Sequence, residues 1–341
     1  MSTPSPPLLE MLWESCDPET GLQRFGLADA ESAAHGLSVV LADNWDLRNV
    51  TCDRIVFSAG NALAWMRTEA GPRIAKWSVV PNLHPRLAEF TRLNAWLGSR
   101  GFPVSAPIPS SSGVLRLELN GISMELQAVL EGEHLDASDA EHVRGAGMLL
   151  ARLHRQLTGY PDVGPIHQLA ANDGAGDGES GATYARAIQP APLAQRITNW
   201  LDSAPGHVPA LAMEALREQL AGMPEADLAI QLAHNDVRSA NLLCQGSRIV
   251  ALLDFEDVTL DHCVVDLAHS AVLLGTKFHN WAPVSSDTHT ELIAGYQSIR
   301  PLSATETAWL PVLILWSTLC MIPGGNDPAD WAASALSQVR K

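Results

Sequence analysis

HNDVRSANLL, residues 234–243, is the stretch on which the reading of this chain turns. The apolar run LAIQLA (228–233) leads into it, and ALLDFED (251–257) follows shortly after. Two short apolar runs that exit on polar residues read as strands, with Asp236 and Asp254 at their ends. Taken singly, Asp236 and Asn241 are ordinary turn formers whose side chains bond nearby amides. With Asp254 they make a more specific set. Phosphoryl transfer asks a protein mainly for positioning and charge compensation. One carboxylate must orient a hydroxyl and take its proton. A second carboxylate and an amide oxygen suit Mg²⁺, a hard ion that prefers oxygen ligands. Asp236, Asn241 and Asp254 supply those three groups.

Outward from this stretch the chain divides into unlike halves. The 341 residues suggest two domains or lobes on a prior of about 150 residues each. In the first half a helix is expected over 29–41, with strands at 54–57, 63–67 and 73–80. Pro85 opens a second helix, with Leu87, Phe90, Leu93, Asn94 and Leu97 at helical spacing, and Gly101 closes it. VLRLELN (114–120) and ISMELQAVL (122–130) read as two more strands, and LEGEH (130–134) breaks the pattern. Beyond it, Ser138 or Asp139 caps a helix carrying Val143, Ala146, Leu149, Leu150, Leu153 and Leu157 on one face. The remainder is expected to be mainly helical. Its exceptions are the Gly-rich loop ANDGAGDGESGAT (171–183) and a small insert with strands at 229–233, 242–244 and 249–253.

Composition narrows the function classes. A hydrophobic content of 46% is enough for packed cores. The net charge of −16 argues against nucleic acid and anionic membrane surfaces as partners, since both repel an acidic protein. The five cysteines are scattered and never in CxxC spacing, which fits a reducing cytoplasm better than a disulfide framework or zinc site. MSTPSPPLLEMLW lacks a basic segment ahead of its apolar residues and makes a poor signal peptide. The most apolar run, residues 308–322, contains Pro311 and is too short for a membrane span. A cytoplasmic protein is expected, its oligomeric state left open.

The pattern H-x-D-x-x-x-x-N followed by D-F resembles the catalytic and metal-binding loops of the protein-kinase-like fold. It is most similar to the aminoglycoside phosphotransferase and choline kinase superfamily, with HNDVRSAN, DFED and Asp266-Leu267-Ala268 as its motifs here. LARLH (150–154) resembles that family's helix before the catalytic loop. ELIAGYQSIRPLSATE (291–306) resembles the homoserine-kinase-like branch. The resemblance runs from about residue 55 to 306. It implies an α+β, two-lobed fold: an N-terminal nucleotide-binding lobe over 1–127, a hinge linker over 128–133, and a C-terminal catalytic and acceptor-binding lobe over 134–341. Only eleven residues separate Asp254 from Asp266, too few for a protein kinase's activation loop.

Carried over, the family's roles make Asp236 the catalytic acid–base and Asn241 and Asp254 the Mg²⁺ ligands. Arg238 stands where a phosphate-contacting lysine often lies. Asp266 and His234 are expected to brace the loop. For ATP or GTP, the resemblance points to backbone groups of the SAGNA turn (Ser58, Gly60, Asn61), to Lys76 paired with Glu89, and to the backbone of Ala128 and Leu130 around adenine. The acceptor is expected to be a small hydroxyl compound bearing an amine: an aminoglycoside, an aminosugar or an amino alcohol such as homoserine or choline. Eight acids lie between residues 225 and 266 against only Arg238 and Arg248, and Glu256, Asp257 and Asp261 have no partner evident in sequence. Such a surface attracts cations, and Trp281, Trp309 or Trp316 would add an aromatic wall. Trp65, Trp77 and Trp96 are expected in the core. The different-class alternative is a catalytically silent nucleotide-binding regulatory protein of the same fold.

Overall fold

The structure is a computed structural model describing residues 5–166, 191–203, 206–224 and 228–339. The Gly-rich stretch 171–183 lies outside the described residues. The chain forms two compact units, Met1–Glu131 and Gly132–Lys341.

The first unit is built on a six-stranded sheet in the order β1-β2-β3-β4-β6-β5. Its strands are β1 (Leu8–Met11), β2 (Thr51–Phe57), β3 (Ala62–Thr68), β4 (Gly71–Ser78), β5 (Leu117–Leu119) and β6 (Ile122–Ala128). β1 runs parallel to β2, and the other pairs are antiparallel. Register sorts the side chains, because residues directly opposite one another share a face. Phe57, Ala62, Trp77, Met124 and Leu117 form one such row; Ile55, Ala64, Ala75 and Leu126 form another. These rows meet the buried side of helix α2 (Ala30–Trp45), including Leu37, Leu41 and Trp45, in one core. Asp29 caps α2, accepting from the Ser32 amide at 2.7 Å. A short α1 (Glu19–Arg24) adds Leu22, and Phe25 just beyond it also joins this core. Trp77 is core as expected, whereas Trp65 and Trp96 are only half-buried and lie under the guanidinium groups of Arg54 and Arg100.

The row Val56, Leu63, Lys76, Glu125 lies on the opposite face. Helix α3 (His84–Ser99) serves this face, and Thr91 Oγ1 donates to the buried Glu125 carboxylate at 2.5 Å.

The second unit is mainly helical. β7 (Glu133–His134) joins β9 (Leu242–Gln245) and β10 (Arg248–Leu252), while β8 (Ile230–Ala233) pairs with β11 (Thr259–His262). The helices are α4 (Ala140–Leu157), α5 (Leu193–Ser203), α6 (Ala210–Ala221), α7 (Cys263–Leu273), α8 (Ser286–Ile299), α9 (Ala304–Cys320) and α10 (Trp331–Val339). Of the two caps the sequence offered for α4, Asp139 takes the role, accepting from the amides of Glu141 and His142. Helix α7 is buried along its whole length, so the hydrophobic core of this unit forms around it. α4 and α8 approach closely where Gly147 faces the backbone of Leu292 and Tyr296, and Gly295 faces the carbonyl of Arg144. Among the described residues no helix is long and apolar enough to cross a membrane.

Candidate active site

The loop after β8 is shaped by Asn235, which takes a left-handed backbone conformation (φ 65°) that Asn tolerates better than most residues. Its side-chain amide reaches the carbonyls of Ala233 and Asp257. The turn aims two successive amides at one buried carboxylate: Asp266 accepts from His234 N at 2.7 Å and Asn235 N at 3.0 Å. Asp266 sits in the first turn of α7 with no exposure. Burial alone would raise its carboxyl, but bonds from His154 and the His234 amide outweigh that and lower it. Asp266 thus braces the loop. His234 is fully buried, accepts from the Asp236 amide through Nδ1, and packs edge-on against Phe255; burial lowers its imidazole pKa.

Asp236 is therefore presented by a fixed backbone, and its carboxylate is held at both oxygens. Arg238 Nε lies 2.8 Å from Oδ1, and Asn241 Nδ2 donates to Oδ2 at 2.7 Å. The Arg238 guanidinium is buried and stands over the Trp281 ring at 5.1 Å. Desolvation, with the charges of Asp257 and Asp254, pushes the Asp236 carboxyl up to about 7 against the pull of Arg238. A carboxylate poised there can exchange a proton near neutral pH.

Asn241 Nδ2 also donates to the Asp236 carbonyl, so the side chain's donor end is committed and its Oδ1 is the end left for a cation. The Leu253 amide bonds the Asn241 carbonyl at 2.8 Å and ties the two loops together next to Asp254. Asp254 is exposed and left-handed, with φ 59°. One carboxylate and one amide oxygen are a set that Mg²⁺ accepts when substrate phosphates complete its shell, so these residues fit the ion. Among the described residues no group of three or more His, Cys, Asp or Glu could hold a metal alone.

The acidic residues after Asp254 separate on inspection. Asp257 contributes charge at Asp236, and Glu256 sits beside it in the same half-buried turn. Asp261 is a correction. It is buried on β11 and takes a two-pronged ion pair from Arg196 on α5, at 2.7 and 2.9 Å. A carboxylate so neutralised does not read an acceptor's charge. Its partner lies 65 residues away in sequence, which is why the pairing escaped local reading. The proposed aromatic wall also contracts: Trp309 and Trp316 are core residues of α9, and only Trp281 is exposed.

In the first unit, the SAGNA turn joins β2 to β3. Ser58 N and Oγ both donate to the Asn61 carbonyl, and Ser58 Oγ accepts from the Asn61 amide. Those two amides close the turn on itself. Lys76 stands opposite Glu125 in the sheet register. Glu89 is buried on α3 and binds Arg92 through both carboxylate oxygens, with Nε at 3.1 Å from Oε2 and NH2 bonded to Oε1. Glu125 went unnoticed in the sequence, although a charge inside the alternating strand ISMELQA is a signal for it. Ala128 ends β6 opposite Arg73, and Leu130 follows one residue before the unit boundary.

Comparison with known proteins identifies relatives of the chain and of its fold. A homoserine kinase of Rhizobium rhizogenes is 29% identical over 230 residues, covering 67% of this chain and 65% of that protein's own length. The macrolide 2'-phosphotransferase of Brachybacterium faecium superposes with a TM-score of 0.57 at 15% identity, covering 90% of this chain and 97% of that one. An amicoumacin kinase solved with AMP-PNP and Ca²⁺ gives a TM-score of 0.57 at 13% identity over 90% and 92% of the two chains. The fold is therefore the protein-kinase-like α+β fold of these phosphotransferases. The model of the phosphotransferase enzyme family matches residues 55–302, a span that takes in the first unit's central strands and the whole Asp236–Asn241–Asp254 cluster, and the chain belongs to that family.

Proposed function

We propose that the protein is a small-molecule kinase that moves the γ-phosphoryl group of ATP or GTP onto a hydroxyl of a small, amine-bearing acceptor. The observation that carries this reading is Asp236: a carboxylate gripped at both oxygens, pushed up to about 7, and placed beside an amide oxygen and a second carboxylate. In the reaction the acceptor oxygen–phosphorus bond forms, the bond from phosphorus to the nucleoside diphosphate breaks, and Asp236 takes the hydroxyl proton. Arg238 and Asn241 orient that carboxylate. Asn241 Oδ1 and Asp254 would hold Mg²⁺, which when bound screens the phosphate charge.

On the nucleotide side, Lys76 is the candidate for the phosphates, with Glu89 as its proposed carboxylate partner and Glu125 opposite it in the sheet. The amides of the Ser58–Asn61 turn and the backbone of Ala128 and Leu130 complete the proposed nucleotide contacts. Residues 1–127 would then act as the nucleotide lobe, 128–133 as the linker, and 134–341 as the catalytic and acceptor lobe. An amino alcohol of the homoserine type is the favoured acceptor, supported by the homoserine kinase relative and by the acidic turn of Glu256 and Asp257. Cytoplasmic residence belongs to the same reading and is supported by five free cysteines. The test is nucleoside diphosphate release with Mg-ATP and Mg-GTP against a panel of amino alcohols, aminosugars and aminoglycosides. Turnover with one acceptor class supports the proposal. No turnover with any of them, despite nucleotide binding, contradicts it and favours a nucleotide-binding protein without catalysis.

A further inference from the structure

Behind the loop amides that Asp266 holds lies a second set of contacts. His154, in the last turn of α4, is buried with 1% exposure and brings Nε2 to 2.9 Å from Asp266 Oδ2. Its other ring nitrogen, Nδ1, is 2.7 Å from the hydroxyl of Tyr296 on α8, a residue with no exposure. The two rings meet edge to face at 5.6 Å. The three side chains therefore form one buried column: Tyr296 on α8, His154 on α4, Asp266 on α7, and then the amides of His234 and Asn235.

The backbone fixes where the column starts. α4 and α8 touch at Gly147 and Gly295, where any side chain would collide with the facing main chain. Tyr296 is the neighbour of that contact, so its hydroxyl reaches His154 only while the two helices stay at glycine distance. Burial pulls the His154 imidazole down, yet Cys263, Tyr296 and Asp266 around it more than compensate and hold it well above its ordinary value. Nε2 faces the Asp266 carboxylate and Nδ1 the phenol oxygen, so both ring nitrogens are engaged. A ring with both nitrogens engaged has one orientation, and the Gln231 side chain fixes the same turn by donating to the His154 carbonyl at 2.8 Å.

We infer that Tyr296 is a positioning residue for phosphoryl transfer, holding His154 so that Asp266 keeps the backbone before Asp236 in register. It touches no substrate. Its influence on the rate passes through two side chains and two amides, and it makes the packing of α8 a determinant of how well Asp236 is aimed.

This inference rests on the kinase reading for its kinetic arm only. The variant is Tyr296→Phe, which removes one hydroxyl and preserves the ring. Expected is a fall in kcat of about 10-fold, the low end of the losses seen on removing an outer hydrogen-bonding partner. KM values for nucleotide and acceptor should stay within about twofold, since no binding group is changed. Per-residue amide hydrogen exchange at His234 and Asn235 should quicken in the same variant. Should Tyr296→Phe fail to accumulate as folded protein, His154→Gln is read by the same two measurements. A kcat within twofold of the parent together with unchanged exchange at both amides overturns the inference, as does a rise in KM at constant kcat. If the parent protein phosphorylates no acceptor, the kinase reading fails by itself, and the exchange measurement still decides whether Tyr296 holds the loop.

Discussion

At the scale of single residues the proposed chemistry rests on Asp236, and its ionisation is measurable. In metal-free protein a carbon-13 carboxyl titration should show a step near pH 7 that vanishes in Asp236→Asn. The sign for stability follows. A carboxyl raised from 3.8 to about 7 binds its proton more tightly in the folded state, so this group costs stability increasingly as pH rises from about 4 to 7. Urea midpoints of Asp236→Asn relative to the parent should therefore shift in favour of the variant across that interval, by at most about 1.4 kcal/mol per pH unit. A flat difference contradicts the raised value. Asp254→Ala should abolish Mg-dependent nucleotide binding, read by calorimetry with and without the ion, because it removes the proposed charged ligand. The cluster His234, Asp236, Asn241 and Asp254 was legible in the sequence because all of it lies within two adjacent loops. Asp261 was misread and Glu125 was missed because their partners, Arg196 and Thr91, arrive from distant helices. Local spacing carries no trace of such pairs.

Secondary-structure elements show the same division between local and non-local information. The helices at Ala30–Trp45, His84–Ser99 and Ala140–Leu157 follow from capping residues and apolar spacing, and the strands of ISMELQA and ALAWMRT follow from alternation. β1, β7 and β11 were not legible. They are two to four residues long, too short for a period to register, and they exist because a neighbouring strand offers an edge. The contact of α4 with α8 is equally hidden, since Gly147 and Gly295 read as ordinary helix residues until the two backbones meet. Gly295→Ala should lower stability by about 1–3 kcal/mol, the usual cost of overpacking, measured by chemical denaturation. The control Gly26→Ala places its new methyl in open space, where only the left-handed backbone (φ 67°) resists it. Equal stability of Gly295→Ala and the parent means that the helices do not pack at these glycines.

For the whole molecule, the net charge of −16 sets the field that an incoming acceptor meets. If the acidic turn at Glu256 and Asp257 reads an amine, kcat/KM for an amino alcohol should exceed that of the matched alcohol without the amine, and the advantage should shrink as salt screens it. Equal rates that ignore salt mean that the charge serves solubility alone. Narrower than the choice of acceptor is the proposed role of Asp236, to accept the proton in a phosphoryl transfer without taking part in nucleotide binding. The direct measurement is the initial rate of nucleoside diphosphate release under saturating Mg-nucleotide and the best acceptor, for the parent and for Asp236→Asn, alongside nucleotide affinity for both. The expected result is a fall in kcat of at least ~100-fold with affinity unchanged. Near-parental turnover by Asp236→Asn would contradict it.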